Sequence, residues 1–303
     1  MRVATTMLRQ AVLAGIGHNS ERLLELQAQI ATGIRIRAPS DDPSGTGRAL
    51  EARTLKQAAQ QWQRNLDMAR HFAVATESSL ARIIDLTAEV RVVATQAASG
   101  SYGADELQAF AKQLDGILEE LVAEANHSEG RVHLFAGTDT SRDPVAVERD
   151  ADGQIIAVSH SEEGSFDGMM QRLVGDDVLL TINTHGSDAF GEELELFTHL
   201  IELRDAAGSA DQEAIAALLT PVDADLERVS IAQSVSGLLI RRIDALAESL
   251  QGQELEAETR RSQEEDLDLA EAMVAYQERQ TLLQAALTAS SRLLDLTLVN
   301  FMT

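Results

Sequence analysis

The apolar residues of the chain repeat with helical spacing over most of its length. Near the start, Leu23 and Ile30 lie seven residues apart within an apolar pattern, which is the spacing of side chains on one helix face. This pattern predicts a first helix over residues 1–31. Gly33 ends it, and residues 39–45, PSDDPSG, are rich in turn-forming residues.

A second, longer helix is predicted after this turn. Ser40 and Asp41 are suitable N-caps, and Pro43 suits a first helical turn. Residues 50–98 contain neither Pro nor Gly. A heptad stripe runs through them: Leu55, Ala59, Trp62, Leu66, Ala69, Ala73, Thr76, Leu80, Ile83, Thr87, Val90, Ala94 and Ala97. A helix alone cannot bury such a stripe, so partner helices are expected.

The pattern changes in the middle of the chain. A turn at 99–103 leads to a third helix over 105–126, which is expected to pair with the second as an antiparallel hairpin. Short alternating segments then follow across 140–190, with Asp152-Gly153 as a hairpin turn and 178–182 as a further strand. This region is therefore predicted to be a small β-rich insert.

Helix is predicted to resume near residue 192 and to continue to the C-terminus, with interruptions around Gly208 and Pro221. From residue 267 onward two apolar stripes run side by side. They are Leu269, Met273, Tyr276, Leu283, Leu287 and Leu294, and Leu282, Ala286, Ala289, Leu293 and Leu296. A helix that is apolar over so wide an arc is buried from more than one side. At a chain end, this indicates assembly.

These elements predict a mainly α fold. Both chain ends form a long coiled-coil helical rod, and a small β-rich insert lies between them. The expected domains are an N-terminal helical region at 1–140, the insert at 141–190 and a C-terminal helical region at 191–303.

The distribution of charge argues against some classes of binding partner. The net charge is −24, and residues 99–230 hold 28 Asp/Glu against 7 Lys/Arg. Such a surface repels nucleic acid and anionic membranes. No stretch approaches the roughly 20 apolar residues that span a bilayer, and the first residues lack the features of a cleavable signal peptide.

The sequence offers little chemistry for catalysis. Cysteine is absent, which excludes disulfides and thiolate chemistry. Gly45 and Gly47 lack the lysine of a phosphate-binding loop. Asp150 and Asp152 resemble the start of a calcium loop, but Ser159 stands where the closing acid is required, so a hairpin turn is the better interpretation. We therefore predict no enzyme activity, no metal and no cofactor.

Motifs at both ends resemble those of the bacterial flagellin superfamily. The N-terminal motif comprises residues 27–36, QAQIATGIRI, and 39–43, PSDDP. The C-terminal motif comprises DLDLAEA at 266–272, LLQAALTA at 282–289 and LTLVNF at 296–301. Two ordered motifs at opposite ends are more specific than either alone.

Within that superfamily the chain is most similar to the hook–filament junction subunits. The SDDP form at 40–43 is typical of that group, whereas flagellins usually carry an AKDDA-type sequence. Residues 130–138, GRVHLFAGT, resemble its link into the β-rich domain, and 178–183, VLLTIN, resemble the end of that domain. A short insert and the unusual segment 17–20, GHNS, depart from the pattern.

The resemblance implies a structural subunit of the bacterial flagellum, secreted unfolded by the flagellar type III export apparatus, with an export chaperone as a further candidate partner. Its terminal helices would pair and self-assemble into a ring or tube, joining hook-associated protein 1 to flagellin at the extracellular junction. The residues expected to carry assembly are Leu23, Ile30, Gly33, Ser40, Asp41, Asp42, Pro43, Leu269, Met273, Leu283, Leu287, Leu294, Leu298 and Phe301.

Two other interpretations stay open. A flagellin variant would polymerise into the filament itself. A coiled-coil adaptor would explain the heptads but not the paired terminal motifs.

Overall fold

A computed structural model describes the backbone of residues 2–161 and 166–302, and the side chains of residues 7, 10–161 and 166–291. Within this part of the chain the helices are α1 (Arg2–Thr32), α2 (Pro43–Ala97), α3 (Ala104–Ala125), α4 (Gly186–Phe190), α5 (Glu195–Gly208), α6 (Gln212–Glu265) and α7 (Leu269–Met302). The mainly helical fold with a small β-rich insert is confirmed.

In the residues that the structure describes, six short strands form three antiparallel pairs. They are β1 (Ser128–Glu129) with β2 (Val132–His133), β3 (Val145–Arg149) with β4 (Ile155–His160), and β5 (Gln171–Gly175) with β6 (Val178–Thr181). The predicted hairpin turn at Asp152-Gly153 joins β3 to β4. There the Asp150 carboxylate accepts the amides of Asp152 at 3.0 Å and Gln154 at 2.8 Å, so this acid stabilises a turn.

The heptad stripe of α2 explains most of the core. From Ala59 to Ala97 every predicted stripe position is buried except Trp62, which is half-buried, whereas Leu55 near the start of the helix is exposed. The stripe contains both small and large side chains, and its small residues allow close contact with neighbouring helices.

The chain divides into two compact units, Met1–Ala58 with Gly252–Thr303, and Ala59–Gln251. The larger core of the second unit packs α2, α3, α5 and the first half of α6 together. Phe190 is fully buried in this core, and the centroid of its ring lies 5.1 Å from that of Phe135 and 5.3 Å from that of Phe197. A smaller core places β5 and β6 against α2 and α6 through residues such as Val174, Leu180 and Ile243.

The predicted helix interruptions are half correct. Helix α5 ends at Gly208, as expected, but Pro221 lies inside α6. Proline removes one backbone donor and its ring crowds the carbonyl one turn earlier, which disfavours helix. However, Ile215, Val222 and Val229 on either side of it are all buried in the core. Packing on both sides therefore carries the helix through the proline.

No helix in the described part of the chain is long and apolar enough to cross a membrane.

Candidate assembly site at the paired terminal helices

Gly33 ends α1 and turns the chain. Its φ of +70° lies in the left-handed region that glycine adopts without strain. The Gly33 amide donates to the Gln29 carbonyl at 2.8 Å, and the Gln29 side-chain amide donates to the Arg35 carbonyl at 2.9 Å. The segment after the helix is thereby held against the last helical turn.

Asp42 is the N-cap of α2. Its Oδ1 accepts the Gly45 amide at 2.9 Å and the Ser44 hydroxyl at 2.9 Å, and its carbonyl accepts the Thr46 amide at 2.9 Å. The Gly45 and Ser44 hydrogen bonds lower the pKa of the Asp42 carboxyl. The prediction that Ser40 or Asp41 caps this helix is wrong by one or two residues.

Asp41 closes the preceding turn instead. Its Oδ2 accepts the amides of Ala38 and Arg37, each at 3.0 Å. These two hydrogen bonds lower the pKa of the Asp41 carboxyl. Adjacent acids thus bind backbone on opposite sides: Asp41 holds the turn before it, and Asp42 holds the helix after it.

A break between α6 and α7 lies against this turn. Ile34 and Asp266 form an antiparallel bridge, in which the Arg35 amide donates to the Glu265 carbonyl at 2.7 Å and the Leu267 amide donates to the Gly33 carbonyl at 2.9 Å. The expectation of continuous helix through residues 266–268 is therefore wrong. The backbone groups released by the break are used to join the two chain ends.

Asp268 starts α7 after the break. Its Oδ1 accepts the amides of Ala270 at 2.9 Å and Glu271 at 3.1 Å, and its carbonyl accepts the Ala272 amide at 2.9 Å. This is an N-cap. The break is thus a stop and a restart, with a capping residue for the new helix.

Arg35 joins the ends of two helices. One guanidinium nitrogen donates to the Glu264 carbonyl, in the last turn of α6, at 2.5 Å, and another lies 3.4 Å from Asp42 Oδ2. A cation at a helix C-terminus and an anion at a helix N-terminus both complement the helix dipole. Arg35 therefore contacts α6 at its C-terminal end and α2 at its N-terminal end.

Ion pairs extend this contact along α2 and α6. Arg48 binds the Glu264 carboxylate in bidentate fashion, at 2.7 Å and 2.9 Å, and lowers the pKa of that carboxyl. Further along the helices, Arg53 Nη2 lies 2.7 Å from Glu265 Oε2, and Lys56 Nζ lies 2.9 Å from Glu258 Oε2.

Glu258 is the most perturbed carboxylate of this series. Arg261, which donates at 2.9 Å, and then Lys56 lower its pKa from 4.5 to about 2. Single exposed ion pairs contribute little to stability, but a series that shares partners fixes geometry. We call Arg48, Arg53, Lys56, Glu258, Arg261, Glu264 and Glu265 the ion-pair ladder.

Helices α1 and α7 lie side by side and are in contact along their backbones. Arg279 of α7 donates to the Asn19 amide oxygen of α1 at 3.1 Å. Among the described side chains of these two helices, only Leu26 and Ala272 are buried. Eight large apolar side chains are exposed: Met7, Leu13, Leu24, Leu269, Met273, Val274, Leu282 and Leu287.

The predicted assembly residues divide into two groups. Those around the turn, Gly33 and 40–43, come together at the break between α6 and α7. In the terminal pair, Leu23, Ile30 and Leu283 are half-buried, whereas Leu269 is 53% exposed, Met273 44% and Leu287 52%. Leu294, Leu298 and Phe301 lie in α7 but outside the described side chains.

Several residues of this site were not predicted. Glu258, Glu264 and Glu265 belong to a strongly polar stretch that reads as a solvated helix face. The Asp268 cap carried a sequence signal, an acid just before a new apolar repeat, which the continuing helical pattern concealed. No sequence pattern indicated the role of Arg35, which lies within the N-terminal motif at residues 27–36. Among the described residues, no group of three or more His, Asp or Glu could hold a metal ion.

Comparison with known proteins identifies the family to which this chain belongs. The N-terminal helical region of bacterial flagellin matches residues 3–140, and its C-terminal helical region matches residues 219–302. The chain is 27% identical over 246 residues to flagellar hook-associated protein 3 of Escherichia coli strain K12, covering 77% of this chain and 72% of that protein.

Solved structures share the fold. A flagellar hook-associated protein from Vibrio parahaemolyticus superposes with a TM-score of 0.64 at 16% identity, covering 75% of this chain and 100% of that one. The flagellar junction protein FlgL from Legionella pneumophila superposes with a TM-score of 0.56 at 12% identity, covering 72% of this chain and 100% of that one.

Proposed function

Because the chain belongs to the bacterial flagellin family, whose two helical regions match both of its ends, we propose that it is a structural subunit of the flagellum that forms the junction between hook and filament. It assembles with further copies of itself through its paired terminal helices.

The exposed apolar surface of α1 and α7 carries this proposal. Large apolar side chains such as Leu24, Leu269 and Leu287 are more than half exposed on helices that already contact each other. Exposed apolar surface on this scale is unfavourable in a lone soluble subunit and typical of an interaction site. Copies of the same helices, packed around the first pair, would bury it.

The turn and break explain how the two chain ends act together. The bridge between Ile34 and Asp266, with Arg35 and the ion-pair ladder beside it, ties the start of α2 to the end of α6. The terminal helices extend from this point. We infer that Gly33 and residues 40–43 set the direction of α1, and that they act in assembly by positioning rather than by direct contact.

The partners follow from the position in the flagellum. The subunit would bind hook-associated protein 1 on the hook side and flagellin on the filament side, after secretion by the flagellar export apparatus with or without an export chaperone. The domain division at 140 and 190 belongs to this proposal, with the acidic β-rich insert facing outward. The function is mechanical and calls for neither catalysis nor a cofactor.

The alternative, a flagellin of the filament, is less well supported. The E. coli relative that the chain resembles over 77% of its length is a hook-associated protein, and a structure of the same fold is that of a junction protein.

Substitution of Leu287 tests the assembly surface. Leu287→Ser removes an exposed apolar side chain, so we expect the helix content by circular dichroism to stay unchanged. In a strain lacking the wild-type gene, we expect attached filaments to fall at least about tenfold, since about 1.4 kcal/mol of lost contact is a tenfold change, and flagellin to accumulate in the medium.

The matched control is Gln284→Ser, a polar exposed position one turn away on the same helix with a similar cost in helix propensity. We expect it to give normal filaments. Normal filaments with Leu287→Ser, or equal losses with both variants, would argue against α7 as the assembly surface.

A further inference from the structure

Helix α6 has an apolar face that its own unit leaves uncovered. Ile231 is 58% exposed, Val235 54% and Leu238 58%, whereas Val229, Ala232 and Ser236 of the same turns are buried in the unit. The exposed side chains recur at spacings of four and three residues, which is the seam spacing of a helix that pairs with another helix.

The residues of this face are arranged so that most of them are complementary to the same face running in the opposite direction. We call it the α6 seam, and its members are Ala224, Glu227, Ile231, Ser234, Val235, Leu238, Arg242 and Ala245, all of them exposed. At 100° per residue they fall within about 50° of one line along the helix.

The midpoint of the seam lies between Ser234 and Val235. Three of the four pairs of members at equal distances from it are complementary: Ile231 with Leu238, Glu227 with Arg242, and Ala224 with Ala245. The central pair, Ser234 with Val235, is polar against apolar. If the seam met a second copy of itself running in the opposite direction, Ile231 would face Leu238, Glu227 would face Arg242, and the small Ser234 would face Val235.

The charges at its ends favour that arrangement over others. Among the described residues, neither Glu227 nor Arg242 has an ion-pair partner, and the neighbouring Arg241 has none either, although most arginines of this acidic chain are paired. In a parallel pair, Glu227 would face Glu227 and Arg242 would face Arg242, which is repulsive. An antiparallel pair forms two Glu227–Arg242 contacts and no like-charge contact.

Small residues allow two helices to approach closely here. Ser234, Ala224 and Ala245 are seam members, and a Cβ added to the neighbouring Gly237 would meet no heavy atom within 4 Å. Two helix backbones can therefore come within the 8–10 Å typical of packed helices.

We propose that two copies of this protein pair through their α6 seams, antiparallel and related by a twofold axis near Ser234. Such a contact is isologous and joins copies in twos, whereas a ring or tube requires heterologous contacts. The seam pair is thus a state of the subunit outside the assembled tube, and it does not rest on the function proposed above.

The pair should be weak. Three apolar side chains per copy bury less than the roughly 800 Å² per partner of a standard interface, and a net charge of −24 on each copy opposes association. Dissociation constants in the range of about 10–100 μM are expected, equivalent to about 5–7 kcal/mol. Moderate salt should strengthen the pair by screening the overall repulsion.

Cysteine substitution tests the seam directly, because the chain contains no cysteine. In an antiparallel pair, residue 234 of one copy lies within about 6 Å of residue 234 of the other, inside the Cα range of a disulfide. Residue 227 lies about 22 Å from its counterpart, at 1.5 Å of rise per residue. We expect full-length Ser234→Cys to form a disulfide dimer on mild oxidation, and Glu227→Cys to remain monomeric.

Charge reversal provides a second measurement. Glu227→Arg or Arg242→Glu alone should weaken self-association at least about tenfold by sedimentation, and an equimolar mixture of the two variants should recover it as a heterodimer. Equal crosslinking of the two cysteine variants, no crosslinking of either, or no effect of charge reversal would overturn the proposal. None of these outcomes bears on filament attachment, so the proposed junction function is judged separately.

Discussion

At the scale of single residues, the contact between Asp42 and Gly45 decides how α2 begins. The Asp42 carboxylate lies against the first helical turn, and Gly45 is buried beneath it. A Cβ added to Gly45 would lie 2.7 Å from Ile36 Cδ1 and 2.8 Å from Asp42 Cγ, closer than carbon atoms approach in proteins. Glycine is required here for space, not for backbone conformation.

Gly45→Ala should therefore destabilise the turn. Relief of the overlap means moving Asp42, which is held by Ser44 and Arg35, so we expect a loss of about 1–3 kcal/mol, as for other overpacked sites. The amides of Arg35 and Leu267 form the bridge between this turn and the break in the helices. Faster hydrogen exchange at these two amides would show that the turn is destabilised.

Gly47→Ala is the matched control. Gly47 lies in the same helix, and an added Cβ would meet nothing within 4 Å, so we expect a gain of about 0.5–1 kcal/mol from reduced chain entropy. Equal effects of the two substitutions would mean that the close contact beneath Asp42 does not exist in solution.

The sequence pattern predicted a turn at residues 39–45, but it placed the N-cap at Ser40 or Asp41 and not at Asp42. Ser40, Asp41 and Asp42 are all favourable N-caps. The choice of Asp42 depends on Arg35 and on the break near residue 266, which is far away in the sequence. A local rule therefore locates such a turn only to within one or two residues.

At the scale of elements, the ion-pair ladder links α2 to α6 in a pH-dependent way. The pKa of Glu258 is lowered to about 2 from 4.5 by Arg261 and Lys56. A lowered folded-state pKa means that the stabilisation is fully present above about pH 4.5 and is lost as the pH falls toward 2.

Glu258→Gln should remove this contribution. We expect the variant to unfold at a lower denaturant concentration than the wild type at about pH 6, and the two midpoints to converge near pH 2. Glu248→Gln, at an exposed position outside the ladder, should track the wild type throughout. A Glu258→Gln deficit that is constant with pH would instead indicate a packing effect.

The helices were more predictable than the strands and the break. Long apolar repeats placed α1, α2 and α3 within a few residues of their observed bounds, because a repeat of helical period marks a helix over its whole length. Strands β1, β2 and β5 and the short α4 were missed, since each has few residues and its pattern is formed by contact with other elements. At Pro221 and at 266–268, packing and the bridge to Ile34 overrode the local sequence.

At the scale of the whole molecule, the two units differ in how completely their helices bury apolar side chains. The unit of Ala59–Gln251 buries its heptad stripe almost completely, whereas the unit that contains both chain ends leaves large apolar side chains of α1 and α7 exposed. The unit of the chain ends therefore leaves apolar surface that further copies would cover, as expected of a subunit that polymerises through its ends.

The central claim, that this subunit forms the hook–filament junction, is tested most directly by immunogold labelling of intact flagella with antibodies against the acidic insert at 141–190. We predict a single band of gold at the boundary between hook and filament. Labelling along the whole filament would contradict the claim and identify a flagellin instead.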